Sequence, residues 1–265
     1  MPDFLEVCRQ AALSGGEVLM SWRDRFSTRE KGPRDLVTEA DVAAQQAIES
    51  VLLGAFPDHD FLGEEGAGDC LPEKSNHHSP YRWIVDPLDG TANYVHKLQS
   101  FAVSIALEHQ GKVILGVVYD PVSGEFFHAQ AGGGAYLNDR PLATSGCSST
   151  DLAMVAVSFP PLVERDSIEI RRFVEALVEC QSVRRLGSAA LNLAYLAAGR
   201  LDAYWATSVK NWDIAAGILL VREAGGVVTH ISGSELDLEV PQFLASASLS
   251  LHEQMLRLLA TAEAQ

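Results

Sequence analysis

A layered α/β protein (α+β in its first half) built as two lobes is the fold class that the order of patterns along this chain predicts. From Phe101 to Leu137 short apolar runs alternate with turn residues, as in an antiparallel meander. From Met154 onward short apolar runs alternate with helical stripes, as in successive βα units. The 265 residues, 47% of them hydrophobic, supply a core for one large domain or two packed lobes. We place the lobes at 1–140 and 141–265, as a single compact unit.

The elements follow from local patterning. Residues 4–22 carry an apolar stripe through Phe4, Cys8, Ala11, Ala12, Val18 and Leu19 and read as a helix. Residues 27–35 are polar around Gly32-Pro33 and read as a loop. Residues 39–54 are helical again, with Gly54 as a stop. A short apolar strand precedes Glu64, and 66–80 reads as a surface loop. Trp83–Val85 reads as the end of a buried strand. Strands are expected at Phe101–Leu107, Lys112–Tyr119 and Phe126–His128. Gly132-Gly133-Gly134 lacks a following Lys-Ser/Thr, so it reads as a turn before another strand rather than a phosphate loop. After a linker at Pro141–Thr150 come strand Met154–Val157, helices 167–180 and 188–199, and strand Leu201–Trp205. Helix Asp213–Ala224 ends at Gly225-Gly226, a C-terminal stop. Strands Val227–His230 and Phe243–Ala247 and a helix at 251–262 close the chain.

Charge narrows the function. The formal net charge of −15 opposes binding to nucleic acid or an anionic membrane. No apolar run approaches the roughly 20 residues of a membrane span. Cys8, Cys70, Cys147 and Cys180 lie far apart with no CxxC pair, against a zinc or redox motif. The acidic N-terminal segment does not resemble a signal peptide. These features predict a cytoplasmic protein with free thiols.

The chemistry concentrates in acids at element ends. Asp86 and Asp89 flank Pro87-Leu88 at the end of an apolar run, and Gly90-Thr91 follow. Buried carboxylates are costly unless neutralised, and oxygen ligands favour a hard cation, Mg²⁺ rather than Zn²⁺. Gly90 permits close backbone approach, and the N–H groups after it open a short helix suited to an anion. Metal beside anion site is the layout of a phosphate-processing enzyme. Asp41, Glu64 and Asp213 also stand at element termini. Taken singly, Asp41 and Asp213 read as helix-start carboxylates facing the dipole, and Glu64 reads equally as a turn acid.

Together these segments carry a family resemblance. Asp86-Pro87-Leu88-Asp89-Gly90-Thr91-Ala92-Asn93 resembles the first signature of the inositol monophosphatase family. Trp212-Asp213-Ile214-Ala215-Ala216-Gly217, followed by Glu223-Ala224-Gly225-Gly226, resembles the second. Gly63-Glu64-Glu65 and Asp35-Leu36-Val37-Thr38-x-x-Asp41 match in order and approximate spacing. The resemblance runs from about residue 5 to 260. It implies a five-layer α/β/α/β/α sandwich and Mg²⁺-dependent hydrolysis of a phosphate monoester, with two or three Mg²⁺ per site and Mn²⁺ as a substitute. Glu64, Asp86 and the Leu88 carbonyl would hold one metal, and Asp86, Asp89 and Asp213 a second. Asp41 and Glu64 would lie near the nucleophilic water, oriented by the Thr91 hydroxyl. The Gly90 and Thr91 N–H groups would hold the phosphate. Asp89, Asp213 and the segment Gly187-Ser188-Ala189 would face the substrate, and Lys31 matches a family loop lysine to within about one residue.

The resemblance departs at Ala206, where inositol-selective members carry a Glu. Alanine accepts no hydrogen bond, at a cost of roughly 1.5–3 kcal/mol when the missing acceptor is charged. The expected substrate is still myo-inositol 1-phosphate or a related polyol or sugar phosphate. Fructose 1,6-bisphosphate, 3′-phosphoadenosine 5′-phosphate and histidinol phosphate are alternatives. Arg184 and Arg185 read as contacts to a second phosphate or as surface ion pairs, and Gly187-Ser188 reads equally as close helix packing. His77, His78 and His96 read as surface or packing residues. A homodimer and Li⁺ sensitivity are implied by the family. A regulatory protein using the phosphatase fold is the different-class alternative.

Overall fold

The computed structural model describes residues 2–25, 27–32, 35–66 and 79–262, with backbone alone for 28–32, 35 and 36. The chain opens with helix α1 (Phe4–Trp22), strands β1 (Thr28–Gly32) and β2 (Asp35–Thr38), and helix α2 (Glu39–Ala55). Seven strands then form one sheet in chain order. They are β3 (Asp60–Gly63), β4 (Tyr81–Asp89), β5 (Ala102–His109), β6 (Lys112–Asp120), β7 (Glu125–Gln130), β8 (Gly134–Leu137) and β9 (Arg140–Pro141). The short helix α3 (Thr91–Val95) interrupts them after β4. The second half runs β10 (Met154–Ser158), α4 (Ile168–Glu179), β11 (Ser182–Arg184), α5 (Ala189–Ala197), β12 (Ala203–Ala206), α6 (Asn211–Glu223), β13 (Val227–His230), β14 (Phe243–Ser246) and α7 (Leu249–Thr261). Its five strands lie in the order β11-β10-β12-β14-β13.

Three helix pairs and two sheets make the five layers, and three apolar clusters fill the space between them. One joins α1 and α2 to the outer face of the large sheet through Leu19, Ile48, Leu52, Val103, Ile105 and Leu107. The central one seats α5 and α6 between the sheets, with Ala102, Ala106, Val118 and Phe127 on one side and Ala156, Tyr204 and Phe243 on the other. The third covers the small sheet with α7 and Ala176 of α4. Period-two alternation sorts these residues, since neighbours along β5 enter opposite clusters. Small residues set the spacing. A Cβ on Gly116 would lie 2.7 Å from the Ala216 carbonyl oxygen, so α6 packs directly against the strand backbone.

The expected loop at 27–35 is instead part of a hairpin. Strands β1 and β2 pair antiparallel from Thr28↔Thr38 to Gly32↔Asp35, with a register shift between Glu30 and Gly32. Backbone pairing holds this two-stranded ribbon, whose first strand is polar and whose second carries only Leu36 and Val37 side by side, so it gives no apolar alternation to read. The short parallel strand β11 was also illegible, because Ser182–Arg184 carries only one apolar residue. The expected helix at 39–54 is observed at Glu39–Ala55. The triple glycine is a turn, with Gly132 and Gly134 at φ 74° and 82°. Most of the 66–80 segment, including Cys70, His77 and His78, lies outside the described residues, as does the Lys31 side chain.

Candidate active site

Pairing between β4 and β5 slips between Asp86 and Asp89: Asp86 lies opposite Ser104, and Asp89 opposite Ala102. Residues three apart on a regular strand face opposite ways. The extra residue at Pro87-Leu88 forms a bulge that returns both aspartates to one face. That face is shared with Ala102 and Ala106 and looks toward α6. There Asp213 occupies the first turn of α6, and its Oδ2 accepts the Lys210 N–H at 2.8 Å. The helix end is tied to the sheet by the Ser104 hydroxyl, which donates to the Trp212 carbonyl at 3.2 Å.

Glu64 arrives from the end of β3, where its N–H donates to the Val85 carbonyl at 3.0 Å. Gln45 on α2 clamps the next residue, its amide donating to the Glu65 carbonyl at 2.6 Å and accepting the Glu65 N–H at 2.8 Å. A Cβ at Gly63 would press on the Gln45 amide that makes this clamp. Asp41 sits at the third position of α2 in a capping box. Its Oδ2 accepts both the Thr38 N–H at 2.9 Å and the Thr38 hydroxyl at 2.5 Å. The Thr91 hydroxyl lies 3.3 Å from Asp41 Oδ1 and 3.1 Å from the Leu88 carbonyl oxygen.

Burial and mutual repulsion raise these acids. Burial and then Glu64, Asp89 and Asp213 push Asp86 well above the usual carboxylate range. Burial, Asp89 and Glu64 do the same to Asp213. Burial lifts Asp89 to about 6 against the hydrogen bonds that it accepts. Burial likewise lifts Asp41 to about 6, opposed by Thr38. Among the described residues no three acidic, histidine or cysteine side chains close around one point as a finished cage. The donor set fits a hard divalent cation even so. Buried oxygens whose main neighbours are other acids require a proton or a cation, and Mg²⁺ needs few protein ligands because it keeps several waters.

Asp89 has a second environment. Its Oδ1 accepts the Ala189 N–H at 3.1 Å, and its Oδ2 accepts the Ala190 N–H at 2.8 Å and the Ser188 hydroxyl. Ser188 is the N-cap of α5 and is fully buried. Ser188 and Ala189, expected to face substrate, are thus turned onto a carboxylate at the end of β4. Gly187 is exposed at φ 85°, and a Cβ there would meet the Asn93 side chain at 2.8 Å. Asn93 ties α3 to the segment before α5 by donating to the Leu186 carbonyl at 2.8 Å, and it also donates to the Ser100 carbonyl at 2.7 Å. Ala206 ends β12 fully buried, paired with Ser158 and Phe243. Arg184, Arg185, Lys210 and His96 are exposed, and Arg185 lies over the Phe159 ring at 5.6 Å.

Gln45 and Asn93 were not picked out from the sequence. Nothing local marks Gln45, whose partner is 20 residues away. Asn93 stood inside a quoted motif, which gave its position but not its bonds. A cleft of about 680 Å³ lined by Arg82, Lys112, Arg222 and Glu239 lies elsewhere. It borders the later turns of α6, whereas Asp213 is in the first turn. We place the chemistry at the acids, because a cleft volume carries no reactive groups of its own.

A five-layer sandwich with an acidic centre between its two sheets defines a class of layered α/β proteins suited to a divalent cation. The chain belongs to the inositol monophosphatase family, whose model matches residues 2–264. An inositol-1-monophosphatase of Mesorhizobium japonicum is 43% identical over 240 residues, covering 87% of this chain and 86% of that protein. A Nus factor SuhB of Pseudomonas aeruginosa is 41% identical over 251 residues, 92% of each. Among solved structures, the extragenic suppressor protein suhB of Bartonella henselae superposes with a TM-score of 0.88 at 38% identity, over 96% of this chain and 97% of that one. The Thermotoga maritima IMPase gives 0.87 at 32% identity, over 98% of both. The expected fold is therefore observed. No described helix is long and apolar enough to cross a membrane.

Proposed function

We propose that this protein is a Mg²⁺-dependent phosphomonoesterase that releases inorganic phosphate from myo-inositol 1-phosphate or a related polyol or sugar phosphate. The observation that carries this reading is the convergence of Asp86 and Asp89 of β4 with Glu64 after β3 and Asp213 of α6, with Asp86 and Asp213 held above the usual carboxylate range by burial and by neighbouring acids. Glu64, Asp86, Asp89, Asp213 and the Leu88 carbonyl would hold the cations, two or three Mg²⁺ or Mn²⁺. Bound there, the cations supply charge neutralisation of the phosphate dianion and of the departing oxygen. The chain's own part is positioning. The Thr91 hydroxyl accepts a proton from the attacking water and passes its own to Asp41 Oδ1, 3.3 Å away. Asp41, at about 6, is an ionised acceptor at neutral pH. Gly90, at φ 96°, brings the backbone N–H groups of the α3 start toward the phosphate.

The position where inositol-selective relatives carry a Glu is here Ala206, fully buried and without an acceptor, which weakens selection for inositol itself. Fructose 1,6-bisphosphate, 3′-phosphoadenosine 5′-phosphate and histidinol phosphate remain in the substrate class. A cytoplasmic location, a homodimer, Li⁺ sensitivity and no direct nucleic-acid contact belong to the same proposal. The relative named Nus factor SuhB, 41% identical, favours a second reading, in which the fold serves a binding or regulatory role. One experiment separates them: phosphate release from inositol 1-phosphate, the three alternatives and glycerol 2-phosphate, with Mg²⁺ and with chelator. Mg²⁺-dependent release dominated by one substrate supports the phosphatase, and no release from any moves the reading to the regulatory one.

A further inference from the structure

We propose that Ser188 is a positioning residue that limits Asp89 to a single free oxygen lone pair and so favours Mg²⁺ over Ca²⁺. The inference rests on the cation-dependent reading above. A carboxylate offers about four lone-pair sites, two on each oxygen. Three of those on Asp89 are taken by α5: the Ser188 hydroxyl and the Ala190 N–H fill Oδ2, and the Ala189 N–H takes one site on Oδ1. One site remains, on Oδ1. Asp89 is therefore a one-oxygen ligand by construction.

That restriction matters because the two hard cations differ in what they accept. Mg²⁺ demands octahedral geometry with single-oxygen ligands, whereas Ca²⁺ tolerates two oxygens of one carboxylate. The Ser188 hydroxyl is fixed from both sides, since it also accepts the Leu191 N–H at 3.1 Å and is fully buried. It cannot turn away from Asp89 without breaking the α5 cap. The second lobe thus sets the geometry of a ligand carried by the first. Groups that orient a ligand typically change metal affinity 10- to 100-fold when removed.

The test is calorimetric titration of Mg²⁺ and Ca²⁺ into the chelator-treated full chain, for wild type and for Ser188→Ala, Ser188→Gly and Ser188→Thr. A melting curve for each variant records the cap loss separately. The expected result is about a 10-fold fall in Mg²⁺ affinity in Ser188→Ala and Ser188→Gly with a smaller change for Ca²⁺. Ser188→Thr, which keeps the hydroxyl, should restore the wild-type ratio. A Mg²⁺/Ca²⁺ affinity ratio unchanged in whichever of the Ala and Gly variants folds overturns the proposal. Wild type binding neither cation overturns the cation-dependent reading itself, and this inference with it.

Discussion

Asp86 stands where binding and stability pull in opposite directions. It is 2% exposed and faces other acids, so its negative charge opposes folding of the cation-free chain. Asp86→Asn removes one charge while leaving an oxygen to accept the Leu88 N–H, now at 2.9 Å. We expect a higher melting temperature in chelator than wild type, turnover reduced at least about 100-fold, and loss of stabilisation by Mg²⁺. Asp41 and Asp89 add a pH signature. Their folded values of about 6 exceed the ordinary 3.8, so the folded state binds more protons between those limits. Their contribution is favourable below about pH 4 and is lost as pH rises to about 6. Cation-free protein should therefore gain stability from this pair when pH falls from 7 to 5. Differential melting with and without Mg²⁺ reads that gain, and an identical slope in both would contradict it.

Thr91 tests the proton path at the same scale. Thr91→Ala should lower kcat by about 100-fold, the size of a general-base contribution, whereas Thr91→Ser should retain most activity because the hydroxyl still reaches Asp41. Equal activity in the two variants would remove the relay.

At the scale of elements, turns carry the ligands and glycines set how closely the turns approach. Gly90 joins β4 to α3 at φ 96°, and a Cβ there would lie 2.9 Å from the Ser100 carbonyl oxygen and 3.3 Å from that of Gly187. Both neighbours are backbone and neither yields by a side-chain rotation. Gly90→Ala should cost about 1–2 kcal/mol from the left-handed conformation alone, and more from the contact. Denaturant unfolding measures it. The β4 bulge works similarly: one extra residue in the pairing turns Asp86 and Asp89 to the same side, which no regular strand does.

For the whole molecule, the middle layer decides cooperativity. The central cluster draws Ile84, Ala102, Val118 and Phe127 from the large sheet and Leu191, Leu193, Ile214 and Leu220 from α5 and α6. A fragment of residues 1–140 would expose that entire face of its sheet to water. We expect such a fragment to lack a cooperative unfolding transition while the full chain shows one. A sharp transition from the fragment would mean that the lobes are independent.

What the residues determine locally was legible in order. Apolar alternation fixes β5 to β8, the helical stripe fixes α1, and Asp41 is legible as a helix-start carboxylate, because each depends on neighbours within a few positions. The acids Asp41, Glu64, Asp86, Asp89 and Asp213 were identifiable by their places at element ends and by family resemblance. Only the tertiary structure turns Asp86 and Asp89 to one face, brings Asp213 above them on α6, and hands Ser188 and Ala189 to Asp89 across about 100 residues of chain. It also forms the β1–β2 ribbon, which pairs through backbone. The physical reason is the same in each case: sequence patterns report which residues leave water, whereas partners far apart in the chain meet only when layers pack.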